Sequence, residues 1–472
     1  GNTIYVAMAN PQDTSGIDDI AMITGCRVVP MFTWENAIRT AVTNHFGQGP
    51  QGEDRVAGKQ EATPQKGKPT GPQEVGEHLD ELVENVSVIN LVASIVEGAI
   101  HAEATDIHLE PQARDLRVRY RIDGMLYDVM TVPPNVEPAL ISRIKILANM
   151  DITQRRMPQD GHFEMTIRGR TYDMRIATLP TSQGERLVIR LLNPTNVFLG
   201  LKQLGLAADD YSTVEQLIHQ PHGMFLATGP IGSGKTTTLY AALNEINVLT
   251  DSIVTIEDPI EYELPGINQV QVDQRIEATF PNILRAVLRQ DVNTLLVGEI
   301  RDTETAQIAV RAAVTGHLVF STLHTKDAVG AITTLINLGV PPFLVTSSVN
   351  GIVTQRLVRR VCRNCREEYE PDQSVLDHVN YPENRKEKPV FVRGIGCNAC
   401  YHTGYHGRIG VFEILILSNR IKALILEGAS EETILEAAVA DGMKTLHSDA
   451  LDKLDDHVTS VEEVTRVATI HV

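Results

Sequence analysis

The segment Gly229-Pro230-Ile231-Gly232-Ser233-Gly234-Lys235-Thr236 constrains this chain more than any other, because it completes the pattern G-x-x-x-x-G-K-[ST] between two segments of different character. Upstream, Gly223 to Thr228 is a short apolar run that reads as a buried strand; downstream, Thr237 to Leu243 reads as the first turns of a helix. Strand, glycine loop and helix in that order make an anion site. Glycines let backbone N–H groups close around phosphates, and the helix N-terminus adds the positive end of its dipole. In such a loop Lys235 reaches the β- and γ-phosphates, the Thr236 hydroxyl holds Mg²⁺, and Thr237 continues the phosphate-facing turn. The chemistry implied is nucleoside triphosphate hydrolysis; the plainer alternative is a glycine-rich turn that merely joins a strand to a helix.

At 472 residues the chain exceeds what one hydrophobic core organises and suggests about three units. A net charge of −18 argues against a nucleic-acid coat, while leaving room for local basic patches. No uninterrupted apolar run reaches the roughly 18 residues needed to span a bilayer, and no charged-then-apolar leader opens the chain, so the expected compartment is the cytoplasm. The chain starts at Gly1 and runs straight into the strand-like Thr3 to Ala9, which reads as the middle of a domain.

Between about Gly47 and Gly76 large apolar residues nearly vanish and Gly, Gln, Pro, Lys and Glu dominate, the composition of a linker. The organisation expected is a domain remnant over 1–46, with helices at Ile17–Thr24 and Trp34–Phe46, then a flexible linker over 47–80. An α+β domain follows over 81–199 and a P-loop domain over 200–472. In the third segment Val88 to Ala104 carries helical spacing, Leu116 to Ile122 alternates as a half-wet strand, and Asp123-Gly124 supplies a hairpin turn. A helix near Ala139–Ala148 and strands near Phe163–Ile167, Thr171–Ala177 and Leu187–Leu192 complete it.

Within the P-loop domain the strand Ser252 to Ile256 ends in Glu257-Asp258-Pro259-Ile260-Glu261, and Thr294 to Gly298 ends in Glu299. In an open parallel sheet ligands gather at the carboxyl ends of strands, so both acidic groups should face the nucleotide. Glu257 or Glu261 suits a metal-holding role and Glu299 the orientation of the attacking water; solvated strand-end acids are the alternative. His317 and His324 flank the strand Leu318 to Phe320, which suggests the same edge for both, in a γ-phosphate-sensing role or as satisfied core histidines. Arginines crowd the α+β domain, among them Arg117, Arg119, Arg121, Arg170, Arg175, Arg186 and Arg190. Most read as a solvated sheet face, although a guanidinium for the transferring phosphate could come from here, in the same or a neighbouring subunit.

Cys362-x-x-Cys365 and Cys397-x-x-Cys400 form two knuckles, with Cys26 left over. Four thiolates make a closed, structural zinc site; two disulfides compete, and a leaderless chain disfavours them.

Together with the P-loop and both knuckles, Asp106-Ile107-His108-Leu109-Glu110-Pro111, Arg119 to Gly124, Pro158-Gln159-Asp160-Gly161, Gly184-Glu185-Arg186, Glu257 to Glu261, Gly298-Glu299-Ile300-Arg301-Asp302 and Thr315 through Thr325 resemble the secretion ATPase superfamily of type II secretion and type IV pilus assembly. The resemblance implies a PAS-like α+β lobe and a RecA-like ATPase lobe with a small zinc-bearing subdomain over 360–410, assembled as a homo-hexamer. It implies Lys235 and Thr236 as the Walker A pair, Glu257, Asp258 and Glu261 as an Asp box, Glu299 as the Walker B glutamate, and His317 and His324 as a His box. Arg170, Arg175 and Arg186 match the lobe-to-nucleotide region; Arg285 and Arg289 precede Walker B. ATP, Mg²⁺ and Zn²⁺ are the ligands implied, and the partner is an inner-membrane platform protein, with no nucleic acid expected. Docking of a cyclic dinucleotide or a membrane partner, as in some relatives, is expected through an N-terminal part missing ahead of Gly1. Gly298 stands where many P-loop enzymes carry an aspartate, Ile231 where threonine is usual, Val292-Asn293 in place of Pro-Asp, and Lys326 in place of asparagine.

The resulting expectation is a cytoplasmic motor for pilus assembly or secretion, peripherally tied to the inner membrane. A pilus-retraction motor and a RecA-like nucleic-acid translocase are the alternatives. The knuckles and long N-terminal region disfavour the former; the acidity and 5% aromatic content disfavour the latter.

Overall fold

A computed structural model describes residues 3–8, 20, 24, 27–32, 74–167, 169–192, 199–382, 385 and 389–468. The expected helices at Ile17–Thr24 and Trp34–Phe46, apart from Ile20 and Thr24, lie outside the described residues, as do Cys26 and the linker up to Gln73. The chain forms two compact units, Gly1–Leu192 and Asn193–Val472.

In the first unit β1 (Thr3–Met8) and β2 (Arg27–Phe32) pair in parallel. Helix α1 (Glu74–His101) starts inside the stretch read as linker, and from Val88 onward Val92, Ile95, Val96 and Ala99 are buried at helical spacing. Strands β3 (Asp106–Pro111), β4 (Leu116–Ile122), β5 (Met125–Val132), β6 (Gln159–Ile167), β7 (Arg170–Thr181) and β8 (Gly184–Leu192) form an antiparallel sheet in the order β5-β4-β3-β8-β7-β6, with α2 (Glu137–Leu147) between β5 and β6 in the chain. On β4 Leu116, Val118 and Tyr120 are buried while the arginines between them are half exposed, the alternation expected of a sheet covered on one face. Tyr120 anchors the covered face by donating its hydroxyl to Ile95 O at 2.5 Å. The β4–β5 turn has positive φ at both Asp123 (49°) and Gly124 (85°), the conformation a two-residue hairpin requires. On the other face Asp106 sits between Arg121 and Arg190 (3.4 and 3.3 Å) and Glu110 between Arg119 and Arg186 (2.8 and 3.1 Å).

The second unit opens with α3 (Ala208–Ile218) and then alternates strand and helix: β9 (Gly223–Thr228), α4 (Lys235–Ile246), β10 (Ile253–Glu257), β11 (Asn268–Gln271), α5 (Phe280–Val287), β12 (Thr294–Val297), α6 (Thr303–Val314), β13 (Leu318–Leu323), α7 (Ala328–Asn337) and α8 (Pro342–Ser348). The long β14 (Val349–Val361) follows, then the short β15 (Arg366–Tyr369), α9 (Gln373–His378) and β16 (Phe391–Gly394). After β17 (Tyr405–Ile416) come helices α10 (Asn419–Glu427), α11 (Glu431–Ala440), α12 (Leu446–Asp455) and α13 (Val461–Ala468). The seven-stranded sheet runs β11-β10-β12-β13-β9-β14-β17, parallel except for β17. Strands β9, β10, β12 and β13 are buried throughout, as crossover helices on both faces require. Met224 and Leu226 enter one core with Leu295, Val297 and Val319; Phe225 and Ala227 enter the other with Leu296, Leu318 and Phe320. This doubly covered sheet carries the P-loop at the carboxyl end of its strand β9.

Candidate active site

The P-loop lies between β9 and α4 as its pattern requires. Gly229, Gly232 and Gly234 all have positive φ (139°, 76° and 90°). A Cβ on Gly229 would lie 2.4 Å from the Gln355 carbonyl oxygen, so only glycine fits there. Gly234 is the N-cap of α4 and, having no side chain, leaves the first amides of the helix uncapped. Ser233 Oγ is buried with no hydrogen-bond partner among the described residues, and Lys235 Nζ donates to Gly229 O (2.8 Å) and Pro230 O (3.0 Å). Free helix-end amides, an orphaned hydroxyl and an ammonium group on one curl of backbone fit a polyphosphate, and Thr236, half-buried on the first turn, fits a Mg²⁺ ligand. Burial lowers the Lys235 pKa to about 8, with the Glu299 charge pulling it back up.

Glu299 follows β12 beside the loop. Its carboxylate is 2.6 Å from Arg301 Nε and 3.4 Å from His324 Nε2, while His324 Nδ1 is 3.4 Å from Lys235 Nζ. His324 thus sits between the loop ammonium and the expected water-orienting acid. A cavity of about 200 Å³ opens next to them, lined by Asp258, Glu299, Arg301, Asp302, Gln274 and Phe280 among others. Asp258 is exposed and Glu261 half-buried, both on the segment leaving β10.

Two residues differ from the sequence-based expectation. Glu257 is 4% exposed and its carboxylate accepts from Tyr240 on one oxygen and from Thr255 (2.5 Å) and Gln269 (3.1 Å) on the other. Its lone pairs fasten β10 to α4 and β11, so the acids open to a metal on this segment are Asp258 and Glu261. His317 precedes β13 whereas His324 follows it, which sets them about 20 Å apart, at opposite ends of one strand. His317 bonds the Ala312 carbonyl through Nδ1 (3.1 Å) at the edge away from the P-loop. Flanking a strand in sequence puts residues at its two ends, not on one edge.

The four cysteines of the knuckles are free thiols whose sulfurs all lie within 4.8 Å of one another. The sulfurs of Cys362 and Cys397, Cys365 and Cys400, and Cys397 and Cys400 are 3.7 to 3.8 Å apart, far beyond the roughly 2.05 Å of a disulfide. A tetrahedron with zinc–sulfur arms of about 2.3 Å has edges of about 3.8 Å, so the donor set fits Zn²⁺. Burial pushes the Cys365 thiol up to about 12, a cost that a bound dication would reverse. Gly394 and Gly404 pack backbone to backbone beneath the knuckles, where a Cβ on Gly394 would meet Gly404 O at 1.9 Å.

The family model described as "Type II/IV secretion system protein" matches residues 81–466, and one described as "MshEN domain" matches residues 1–52. The chain belongs to the type II/IV secretion system protein family. It is similar to the type IV pilus assembly ATPase PilB of Myxococcus xanthus (strain DK1622), 40% identical over 98% of this chain and 82% of that protein. It is also similar to the type II secretion system protein HxcR of Pseudomonas aeruginosa, 46% identical over 80% of this chain and 77% of that one. Among solved structures, the pilus retraction motor PilT with bound ADP aligns over 79% of this chain and 95% of its own, with 26% identity and a TM-score of 0.52. The α/β fold is thus that of the RecA-like ATPases of this family, and the chain is an ATPase.

Within this family member the expected arginines fall into two sets. Arg170 is exposed at the start of β7, Arg175 is half-buried on the same strand, and Arg186 donates to Glu110 (3.1 Å) with His108 Nδ1 at 3.3 Å. In the second unit Arg285 pairs with Glu304 and Arg289 donates to the Arg285 carbonyl (2.9 Å), so the polar contacts of both run along α5 and α6. Sequence reading missed Gln355, buried on β14 beside the P-loop, and Tyr240 and Gln269, the partners of Glu257. No local pattern marks any of them.

Proposed function

We infer that this family member is a cytoplasmic, homo-hexameric motor that hydrolyses ATP to drive type IV pilus assembly or type II secretion through an inner-membrane platform protein. The observation that carries the reading is the chain of contacts from Lys235 through His324 to Glu299 at the carboxyl edge of the sheet. In this reading the P-loop amides and Lys235 hold the β- and γ-phosphates, and Thr236 with Asp258 and Glu261 places Mg²⁺, which when bound neutralises phosphate charge. Glu299 orients the attacking water within the adjoining cavity, and His324 reports the γ-phosphate to both. Arg170, Arg175 and Arg186 are the candidates for a guanidinium supplied to a nucleotide of the same or a neighbouring subunit, and the four cysteines hold a structural Zn²⁺. The boundaries that go with it are a remnant over 1–46, a linker over 47–80, a PAS-like domain over 81–199 and the ATPase over 200–472. The region matched by the MshEN model would take a cyclic dinucleotide or a membrane partner.

The test combines hydrolysis with capture. Purified hexamer should release phosphate from MgATP and retain the cytoplasmic part of a platform protein on a column, and DNA should leave the rate unchanged. Strong stimulation by DNA with a steep salt dependence would favour a translocase and overturn the motor reading.

A further inference from the structure

Gln355 touches the P-loop at its entry, its middle and its exit. It is 2% exposed, on the strand that pairs with β9 in a register placing Thr354 opposite Thr228, with their hydroxyls 2.6 Å apart. At the entry, its backbone carbonyl oxygen lies 2.4 Å from where Gly229 would carry a Cβ. In the middle, its Nε2 donates to Ser233 O at 2.7 Å. At the exit, its Oε1 accepts from Thr238 Oγ1 at 2.7 Å, and the position a Cβ would take on Gly234 is 2.9 Å from Nε2. The peptide unit between Ser233 and Gly234 is planar and trans, so its C=O and N–H point in opposite directions. A side chain that captures the Ser233 carbonyl on the sheet side therefore turns the Gly234 N–H outward, into the cradle.

We propose that Gln355 is a positioning residue for nucleotide binding, which sets the orientation of the P-loop amides through its bond to Ser233 O without touching the phosphates. This rests on the reading of the site as an ATP site. Losing the donor leaves a buried carbonyl unsatisfied and frees the peptide to rotate, at the expense of affinity and not of the chemical step.

The decisive comparison is the whole chain against Gln355→Met, which fills the same space with no donor, and Gln355→Glu, whose carboxylate accepts from Thr238 and donates only when protonated. Binding of a fluorescent ATP analogue and steady-state hydrolysis are measured from pH 6 to pH 8.5. The expected result for Gln355→Met is a roughly 10- to 100-fold rise in Kd and in KM, with kcat falling by less than about threefold. For Gln355→Glu the defect relative to the parent chain should shrink as pH falls and the new carboxyl gains its proton. A filler role would leave Gln355→Met within about twofold of the parent in Kd, and that result overturns the proposal. So does a Gln355→Glu defect that does not change with pH, a readout that remains if the methionine variant misfolds. If the parent chain bound the analogue but released no phosphate, the motor reading would fail while the binding comparison still judged Gln355.

Discussion

Lys235 illustrates how the site's chemistry follows from burial. Its ammonium, 8% exposed, is held by two loop carbonyls, and its pKa in the folded chain is lowered to about 8. Because this value lies below that of the unfolded chain, the unfolded state holds more protons between about pH 8 and pH 10.5, and the burial cost is relieved as pH rises through that window. Phosphate binding needs the opposite protonation state. We therefore expect kcat/KM for ATP to fall as pH rises above about 8, with proton uptake on ATP binding near that pH. A kcat/KM profile flat to pH 9.5, or calorimetry in two buffers showing no proton uptake, would contradict it. At this scale the sequence was readable where function is written contiguously. The P-loop and Glu299 each follow a strand in an unbroken motif, whereas Gln355 reaches Ser233 from more than a hundred residues away, and only the sheet order brings them together. His317 shows the converse, since a motif shared with His324 spans a strand whose length separates the two.

Secondary-structure elements are joined at this site by buried polar side chains. Glu413 on β17 is 3% exposed and accepts from Ala328 N (2.9 Å) and Leu446 N (3.3 Å), the first amides of α7 and α12, and burial raises its pKa. One carboxylate thus ties the helix that follows the His324 loop to the C-terminal helices. Glu413→Ala should leave both amides unsatisfied and cost about 2–4 kcal/mol, while Glu413→Gln, which keeps one acceptor, should cost less than half as much. Chemical denaturation checks both, and a Glu413→Ala loss below about 1 kcal/mol would contradict the role given to its two hydrogen bonds. Periodicity made β4 and its Asp123-Gly124 turn readable residue by residue, because one wet face forces alternation. It gave no account of β14, where buried Thr354, Gln355 and Arg356 interrupt the apolar pattern, or of the buried second half of β17, where Glu413 does the same. The polar residues that hide those strands are the ones serving the P-loop and the helix ends.

At the scale of the whole molecule, the ATPase unit and the cysteine knuckles form one compact body, since β14 leads directly from the P-loop clamp into Cys362. We expect the purified chain to carry about one Zn²⁺ per subunit. Its removal by a strong chelator, or Cys365→Ser, should lower the melting temperature and loosen the segment between the knuckles first, as read by limited proteolysis. Full metal content in Cys365→Ser, or unchanged proteolysis after chelation, would argue against a structural zinc site. Composition drew the linker out to residue 80, but α1 begins at Glu74, within that stretch, because its early residues carry helix formers despite their polarity. The central claim is that ATP is cleaved where Lys235, His324 and Glu299 meet. Its most direct test is phosphate release by the full chain and by Glu299→Gln, each paired with a measurement of ATP binding. The account predicts at least a roughly hundredfold loss of turnover in the variant, with ATP affinity within about threefold of the parent; undiminished turnover in Glu299→Gln would contradict it.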